Sequence, residues 1–508
     1  MSQSDNLSSE YDMSTWLRCC EQEVKEPLEG KIKGDIPSWL SGTLIRNGPG
    51  TIRIGSMEYA HVFDGSAYLH SFAINKGKAT YQGRFLNTEA LKKNRKANRI
   101  VITEFGTKSV PDPCHTIFDR ISLFFDPLSY ITDNAGVSIY PFGDQVYAMT
   151  EVPTVFKIDK KSLETIERKT LIDSLIVCHT AHPHIMPNGD VFNVGVQLIK
   201  GFLKHVIVKF PYSAKEDMFD TAEVVSVIEP RWRFSPTYSH SFGITDNYFI
   251  IIEQPLIIST FSLMKNVVIN QPYASNLHWY PEYETLILLI NRNTGEKIRY
   301  RADTFFFMHV INSFESDGKV TIDVCSYEDA KIIDAMYVDA IKNAESNPDY
   351  GQWCQSRPKR FEIPLDAPPF AKVEPRILAD VGIEAPRINY DAYNGRPYRY
   401  FYGIGSEVTS KDAGSIIKID TMTGEVKTWR EHDGYPSEAV FIARPDAKDE
   451  DDGVLLSAII WGKIDNAVTL IVLDAQDLQE IARAEFSTPS EMPKCFHGWF
   501  FPEKMTIT

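Results

Sequence analysis

Residues 470–497 read LIVLDAQDLQEIARAEFSTPSEMPKCFH. An apolar run meets Asp474, turns over a few polar residues, passes Glu480 and returns as a second run, the signature of a β-hairpin. His497 follows Asp474 by 23 positions. The same pattern recurs in VFKIDKKSLETIERKTL (155–171), LILLINRNTGEKIRY (286–300) and SIIKIDTMTGEVKTW (415–429). Asp159 precedes His182 by 23 positions, while Asn291 precedes His309 and Asp420 precedes Glu438 by 18. A hairpin followed at a fixed spacing by a His or Glu on the next apolar stretch is what a β-propeller produces. Its outer hairpins end each blade, the chain crosses to the innermost strand of the next, and inner strands converge on one axis. Generic hairpins in a β-sandwich are the alternative that the pattern leaves open.

Outward from these segments the chain stays β-rich. YPFGDQVYAMTEV, IMPNGDVFNVGV and FGITDNYFIIIE each read as strand, tight turn, strand. Ser14–Val24 and Tyr327–Asn343 are the best helix candidates. A length of 508 residues would ordinarily suggest several domains, but no linker divides it. The expectation is an all-β chain: one propeller domain spanning 1–508, with residues 1–30 as a polar lead-in. An apolar share of 43% rules out general disorder, and a net charge of −15 argues against nucleic acid as the main partner. Asp446–Gly453 (DAKDEDDG) reads as a solvated acidic loop. Seven cysteines with no C-x-x-C spacing disfavour zinc ribbons and disulfide scaffolds. The opening MSQSDNLSSEYD lacks the basic and apolar stretches of a secretory signal, so a reducing, cytoplasmic setting is expected. No apolar run is long enough to span a bilayer; Leu256–Ile269 comes nearest and contains Lys265.

Chemistry is carried by the twelve histidines. His182 and His184 in TAHPHIMPNGD, His240 in TYSHSFGITDN, His309 in FFFMHVINSFESDG and His497 in KCFHGWFF each begin an apolar stretch. Four neutral imidazoles on one axis suit a divalent first-row metal such as iron, and the lack of nearby cysteines disfavours structural zinc. Glu151, Glu384 and Glu438 sit where a solvated face is not the obvious reading. A metal-bound histidine usually donates its other N–H to a carboxylate, and these three suit that task. Spacing alone does not choose among them, nor does it exclude a site of two histidines and one carboxylate built on His182 and His184.

The segments RNGPG (46–50), HVFDGSAYLHSF (61–72), ITEFGT (102–107), AHPH (181–184), SHSFGIT (239–245), PSEAVF (436–441) and FHG (496–498) resemble, in order, the motifs of the carotenoid cleavage oxygenase family. PDPC (111–114) is similar to its animal branch, and the overall likeness is to the insect isomerooxygenase type. The resemblance implies a seven-bladed propeller with a helical and loop cap over one face. It implies Fe(II) held by His182, His240, His309 and His497, with Glu151 behind His240, Glu384 behind His309 and Glu438 behind His497. The other histidines are then structural. It further implies O2-dependent scission of a carotenoid such as zeaxanthin or β-carotene at the 15,15′ double bond, with trans-to-11-cis isomerisation of one half. Cleavage without isomerisation, retinyl ester isomerohydrolysis, and mere carotenoid or retinoid binding are the other readings. Phe105, Thr150 and Tyr337 match substrate-cavity positions. A carotenoid resides in lipid, so peripheral, monotopic membrane contact is expected through 109–128 or 256–269, with Cys114 a possible lipidation point.

Overall fold

The computed structural model describes residues 12–110, 132–171, 176–407 and 414–503. Seven antiparallel sheets of four to six strands follow one another around an axis. The second blade, with strands Ser138–Phe142, Gln145–Met149, Thr154–Ile158 and Thr165–Thr170, is the simplest. The chain runs outward through its four strands and then crosses to Ile176–His179, the inner strand of the third blade. The propeller reading therefore holds over the sandwich.

Closure is made twice. The C-terminal strand Gly498–Pro502 pairs with Gly42–Arg46 as the innermost strand of the first blade. The early strand Lys31–Gly34 pairs with Ala482–Glu485 as the outermost strand of the seventh. Val24–Glu29 forms the outer edge of the first blade. The lead-in expected over 1–30 thus already contains propeller strand.

Alternation decides the packing. In Gly453–Trp461, Val454, Leu456 and Ile460 join the core shared with the first blade, whereas Leu455 and Ile459 join the core shared with the sixth. Both faces of an inner sheet are buried, so these strands read as continuous apolar runs rather than as polar and apolar in turn. Separate small cores lie between successive blades, such as Ile45, Leu69, Ile139 and Ala148 between the first and second.

The four hairpins from the sequence repeat are the outer hairpins of the second, fourth, sixth and seventh blades. Their Asp or Asn caps the turn. Asp159 Oδ1 accepts from Ser162 N at 2.7 Å, Asn291 Oδ1 from Asn293 N at 2.9 Å, Asp420 Oδ1 from Met422 N at 2.9 Å, and Asp474 Oδ1 from Gln476 N at 2.7 Å.

Three local expectations change. Ser14–Val24 is not an α-helix; a single 3-10 turn, Met13–Leu17, ends where the Cys20 N–H bonds to the Gly50 carbonyl and the chain becomes extended. Tyr327–Asn343 divides into Lys331–Ala335 and Val338–Lys342, because the Val338 N–H bonds to the Ala60 carbonyl instead of continuing a helical ladder. The acidic loop is not wholly solvated: Glu450 accepts the Arg399 and Tyr400 N–H groups, and Asp451 pairs with the buried Lys418. Short helices between Lys331 and Cys354 cover one end of the propeller.

Candidate metal centre

Each blade sends one of the seven predicted residues to the axis. His497 comes from the first, Glu151 from the second, His182 from the third, His240 from the fourth, His309 from the fifth, Glu384 from the sixth and Glu438 from the seventh. Glu151 lies in the turn between Gln145–Met149 and Thr154–Ile158, and the others sit where inner strands begin, break or slip. His182 lies between the strand pieces Ile176–His179 and His184–Ile185, and His240 precedes Gly243–Ile244. His309 falls within a register shift between Phe307 and Val310, and Glu438 lies between Gly434–Pro436 and Val440–Ala443. A side chain on a regular stretch would point into a neighbouring blade; at a break it turns toward the axis.

The four histidines converge, with their ligand atoms within 4.8 Å of one another. His182 Nε2 lies 3.1 Å from His240 Nε2, which lies 3.3 Å from His309 Nε2. The predicted carboxylates stand behind the predicted partners. His240 Nδ1–H donates to Glu151 Oε1 at 2.5 Å, His309 Nδ1–H to Glu384 Oε2 at 2.5 Å, and His497 Nδ1–H to Glu438 Oε1 at 2.8 Å. Among the described residues His182 has no such carboxylate. With Nδ1 carrying the proton, each of those three rings presents a bare lone pair at Nε2. Lone pairs aimed at one another repel unless a cation lies between them. Adjacent nitrogens on a six-coordinate ion with bonds near 2.1 Å stand about 3 Å apart, in keeping with these spacings. The donor set therefore fits a divalent metal.

Electrostatics favour neutral rings and charged carboxylates. Burial, reinforced by the other imidazoles, pushes His182 well below the ordinary range, and burial lowers His497 to about 4 despite Glu438. Burial works to raise Glu438, but Arg387, His497 and Arg46 outweigh it and hold the carboxyl well below its usual range. Burial likewise opposes ionisation of Glu384, and His309 with the Ala385 N–H reverses it. Ala385 takes a left-handed φ of 48°, which aims its N–H at Glu384 Oε2, 2.7 Å away.

Some positioning groups are not apparent in the sequence. Arg387 grips Glu438 through Nε at 2.8 Å and Nη2 at 3.1 Å, and also bonds to the Gly498 carbonyl at 2.6 Å. Tyr238 donates to Glu151 at 2.7 Å; its place two residues before His240 was the available signal, since alternate residues share a side. His184 takes another course. Its Nε2–H donates to the Phe242 carbonyl at 2.9 Å, and Tyr390 OH donates to its Nδ1 at 3.1 Å. Both nitrogens are occupied, which removes the site built on His182 and His184.

The centre opens on a mainly apolar cavity of about 400 Å³. Phe105 and Thr150 line it, beside Phe63, Tyr273 and Met308. Tyr337 does not line it; its ring packs edge-on against His61, which in turn meets Phe105. PDPC, Cys114 and most of 109–128 lie outside the described residues. Leu256–Ile269 divides into a strand, Leu256–Ile258, and a helix, Thr260–Val268. Among the described residues no helix is long and apolar enough to cross a membrane.

Comparison with known proteins agrees with this geometry. The chain is 54% identical over 99% of both sequences to a carotenoid isomerooxygenase of Galleria mellonella. It is 39% identical to one of Drosophila melanogaster (96% of this chain, 92% of that one). It is 35% identical to a β,β-carotene 15,15′-dioxygenase of Gallus gallus (97% and 98%). Cobalt-substituted Synechocystis apocarotenoid oxygenase shares the fold, with a TM-score of 0.79 at 23% identity over 98% of this chain and 100% of that one. The family model described as retinal pigment epithelial membrane protein matches residues 17–502, and the chain belongs to that family, the one that includes the carotenoid oxygenases.

Proposed function

We propose that this chain is an Fe(II)-dependent oxygenase that cleaves a carotenoid at its central 15,15′ double bond. The products are retinal-type aldehydes, one half being converted to the 11-cis form that supplies visual chromophore. One observation carries the reading: four histidines, three of them held by carboxylates, meet at the wall of an apolar cavity. The 54% identity to a carotenoid isomerooxygenase supports isomerisation over plain cleavage. His182, His240, His309 and His497 would hold the iron, with Glu151, Glu384 and Glu438 fixing three of the rings. Bound there, Fe(II) supplies activation of O2 for addition across the double bond.

The rest of the task falls to the protein. Nδ1–H bonds fix the tautomer and aim of three imidazoles. Arg387 and Arg46 keep Glu438 ionised, so His497 stays the donor in its pair. Phe63, Phe105 and Tyr273 line the cavity with aromatic surface suited to a polyene. Selectivity for a substrate with few polar groups then rests on cavity shape.

We also read the chain as one domain that is cytoplasmic and peripherally bound to membrane. On the Thr260–Val268 helix, Phe261 and Met264 are exposed while Leu263 lines the cavity. Phe234, 60% exposed, adjoins its first turn. An apolar surface beside an apolar cavity gives a lipid-dissolved substrate a dry path.

The deciding experiment incubates Fe(II)-loaded protein with zeaxanthin and with β-carotene, resolving products by length and geometry. Equal amounts of 11-cis and all-trans C20 aldehyde are expected. All-trans product alone would make it a plain dioxygenase. Conversion of retinyl ester without carotenoid cleavage would make it an isomerohydrolase, and no turnover with retained ligand would make it a binder.

A further inference from the structure

One nucleophile in the cavity wall has no part in the metal centre. Lys494 is buried and lines the cavity, and so does each residue that follows it up to the ligand His497. Three residues of chain span at most about 11 Å, which bounds the separation of the two Cα atoms. Pro436 from the seventh blade and Trp16 from the N-terminal turn line the cavity beside it. Lys494 Nζ stands 5.3 Å from the centre of the Trp16 ring.

The setting of this lysine is unusual. Lys418, also buried, pairs with Asp451, but among the described residues no carboxylate pairs with Lys494. Its Nζ donates instead to the Tyr435 carbonyl at 3.0 Å and to the Pro436 carbonyl. Burial lowers the ammonium to about 7, with Cys495 opposing the shift and Arg46 adding to it. A neutral amine has two N–H groups and one lone pair. The two carbonyls take the N–H groups, so the lone pair stays free. An uncharged lysine in an apolar pocket is the form that attacks a carbonyl carbon. The carbonyl compound at hand is the aldehyde product, released into the same cavity.

We propose that Lys494 captures the retinal-type aldehyde as a reversible imine, holding the product in the cavity between cleavage and release. The proposal rests on the carotenoid-cleavage reading above. The nitrogen lone pair adds to the aldehyde carbon as the C=O π bond breaks, and a nitrogen proton passes to the oxygen. Loss of that oxygen as water leaves a C=N bond. Amine and aldehyde thus give imine and water with no change of oxidation state, and water entering the cavity reverses the step. Full-length, Fe(II)-loaded protein should be mixed with equimolar retinal, treated with cyanoborohydride to fix any imine as a secondary amine, and mapped by peptide mass spectrometry. The retinyl group should be found mainly on the Lys494 peptide. Lys494→Arg, which keeps a donor for the two carbonyls, should lose that adduct, and total incorporation should fall to the level spread over surface lysines. Unchanged total incorporation in Lys494→Arg overturns the proposal. If Lys494→Arg fails to fold, the wild type still decides, because labelling of Lys494 no stronger than that of exposed lysines also overturns it. Retinal is supplied directly, so this readout does not depend on cleavage. Failure to cleave zeaxanthin or β-carotene in the assay above is a different result, which removes the cleavage reading itself.

Discussion

His497 is held still by a chain of contacts that begins one blade away. Its Nδ1–H donates to Glu438, and Glu438 is gripped by the two-pronged guanidinium of Arg387. Glu438 and Arg387 come from the seventh and sixth blades, so the His497 ring is oriented by two neighbouring blades. Replacing Arg387 with Met leaves a buried carboxylate without its main cation, which costs about 3–5 kcal/mol. Chemical denaturation should show that loss, and metal content should fall with it because His497 is no longer held. His240→Ala removes a central nitrogen outright; it should abolish iron binding, read by elemental analysis, together with turnover. Retained iron or turnover would refute the ligand assignment. The histidines were legible because hairpin spacing and motif mark them, and the glutamates because a resemblance supplied their partners. Arg387 was not. It lies three residues from Glu384 yet serves Glu438, 51 positions on, and only the crossing between blades brings the two together.

Among the elements, the outer hairpins were the most readable because their turns are local. An Asp or Asn oxygen caps N–H groups two or three residues ahead, so the string itself contains the interaction. Asp474→Ala deletes the cap on Gln476 N and should lower stability by about 1 kcal/mol by chemical denaturation, with metal content unchanged. The cap was less readable. Its short helices are set by tertiary bonds, such as Val338 N–H to the Ala60 carbonyl, that outweigh local helical preference. The Thr260–Val268 helix departs from the rule that an amphipathic helix buries its apolar side, since Phe261 is 80% exposed. Paired substitution Phe261→Ser and Met264→Ser should shift the protein from liposomes to the soluble fraction in a flotation assay, with iron retained. Unchanged partition would show that this helix is not the membrane contact.

At the scale of the molecule, a double latch closes a ring of blades around a dry axis, and that burial sets its response to acid. Burial depresses His61, His184 and His205 to about 4 and His70 to about 3, against an ordinary value of 6.5. Between pH 6.5 and 4 the unfolded chain takes up protons on these rings and the native state does not. Stability from this source is therefore fully present above pH 6.5 and is lost as pH falls, at about 1.4 kcal/mol per pH unit for each histidine. Two buried acids oppose the trend. Burial raises Asp64 to about 6 and lifts Glu104 well above its usual range, so the native state holds protons there that the unfolded chain releases. These acids offset part of the loss, while the depressed His182 and His497 add to it in the metal-free protein, so stability falls as pH drops toward 5. Glu438, whose folded value is depressed by Arg387 and His497, loses its contribution at still lower pH, in the same direction. The urea midpoint should accordingly fall steadily from pH 7 to pH 5 for the metal-free protein. A midpoint that stayed level over that range would mean that these histidines are charged or hydrated in the native state, against the dry interior that a hydrocarbon substrate requires.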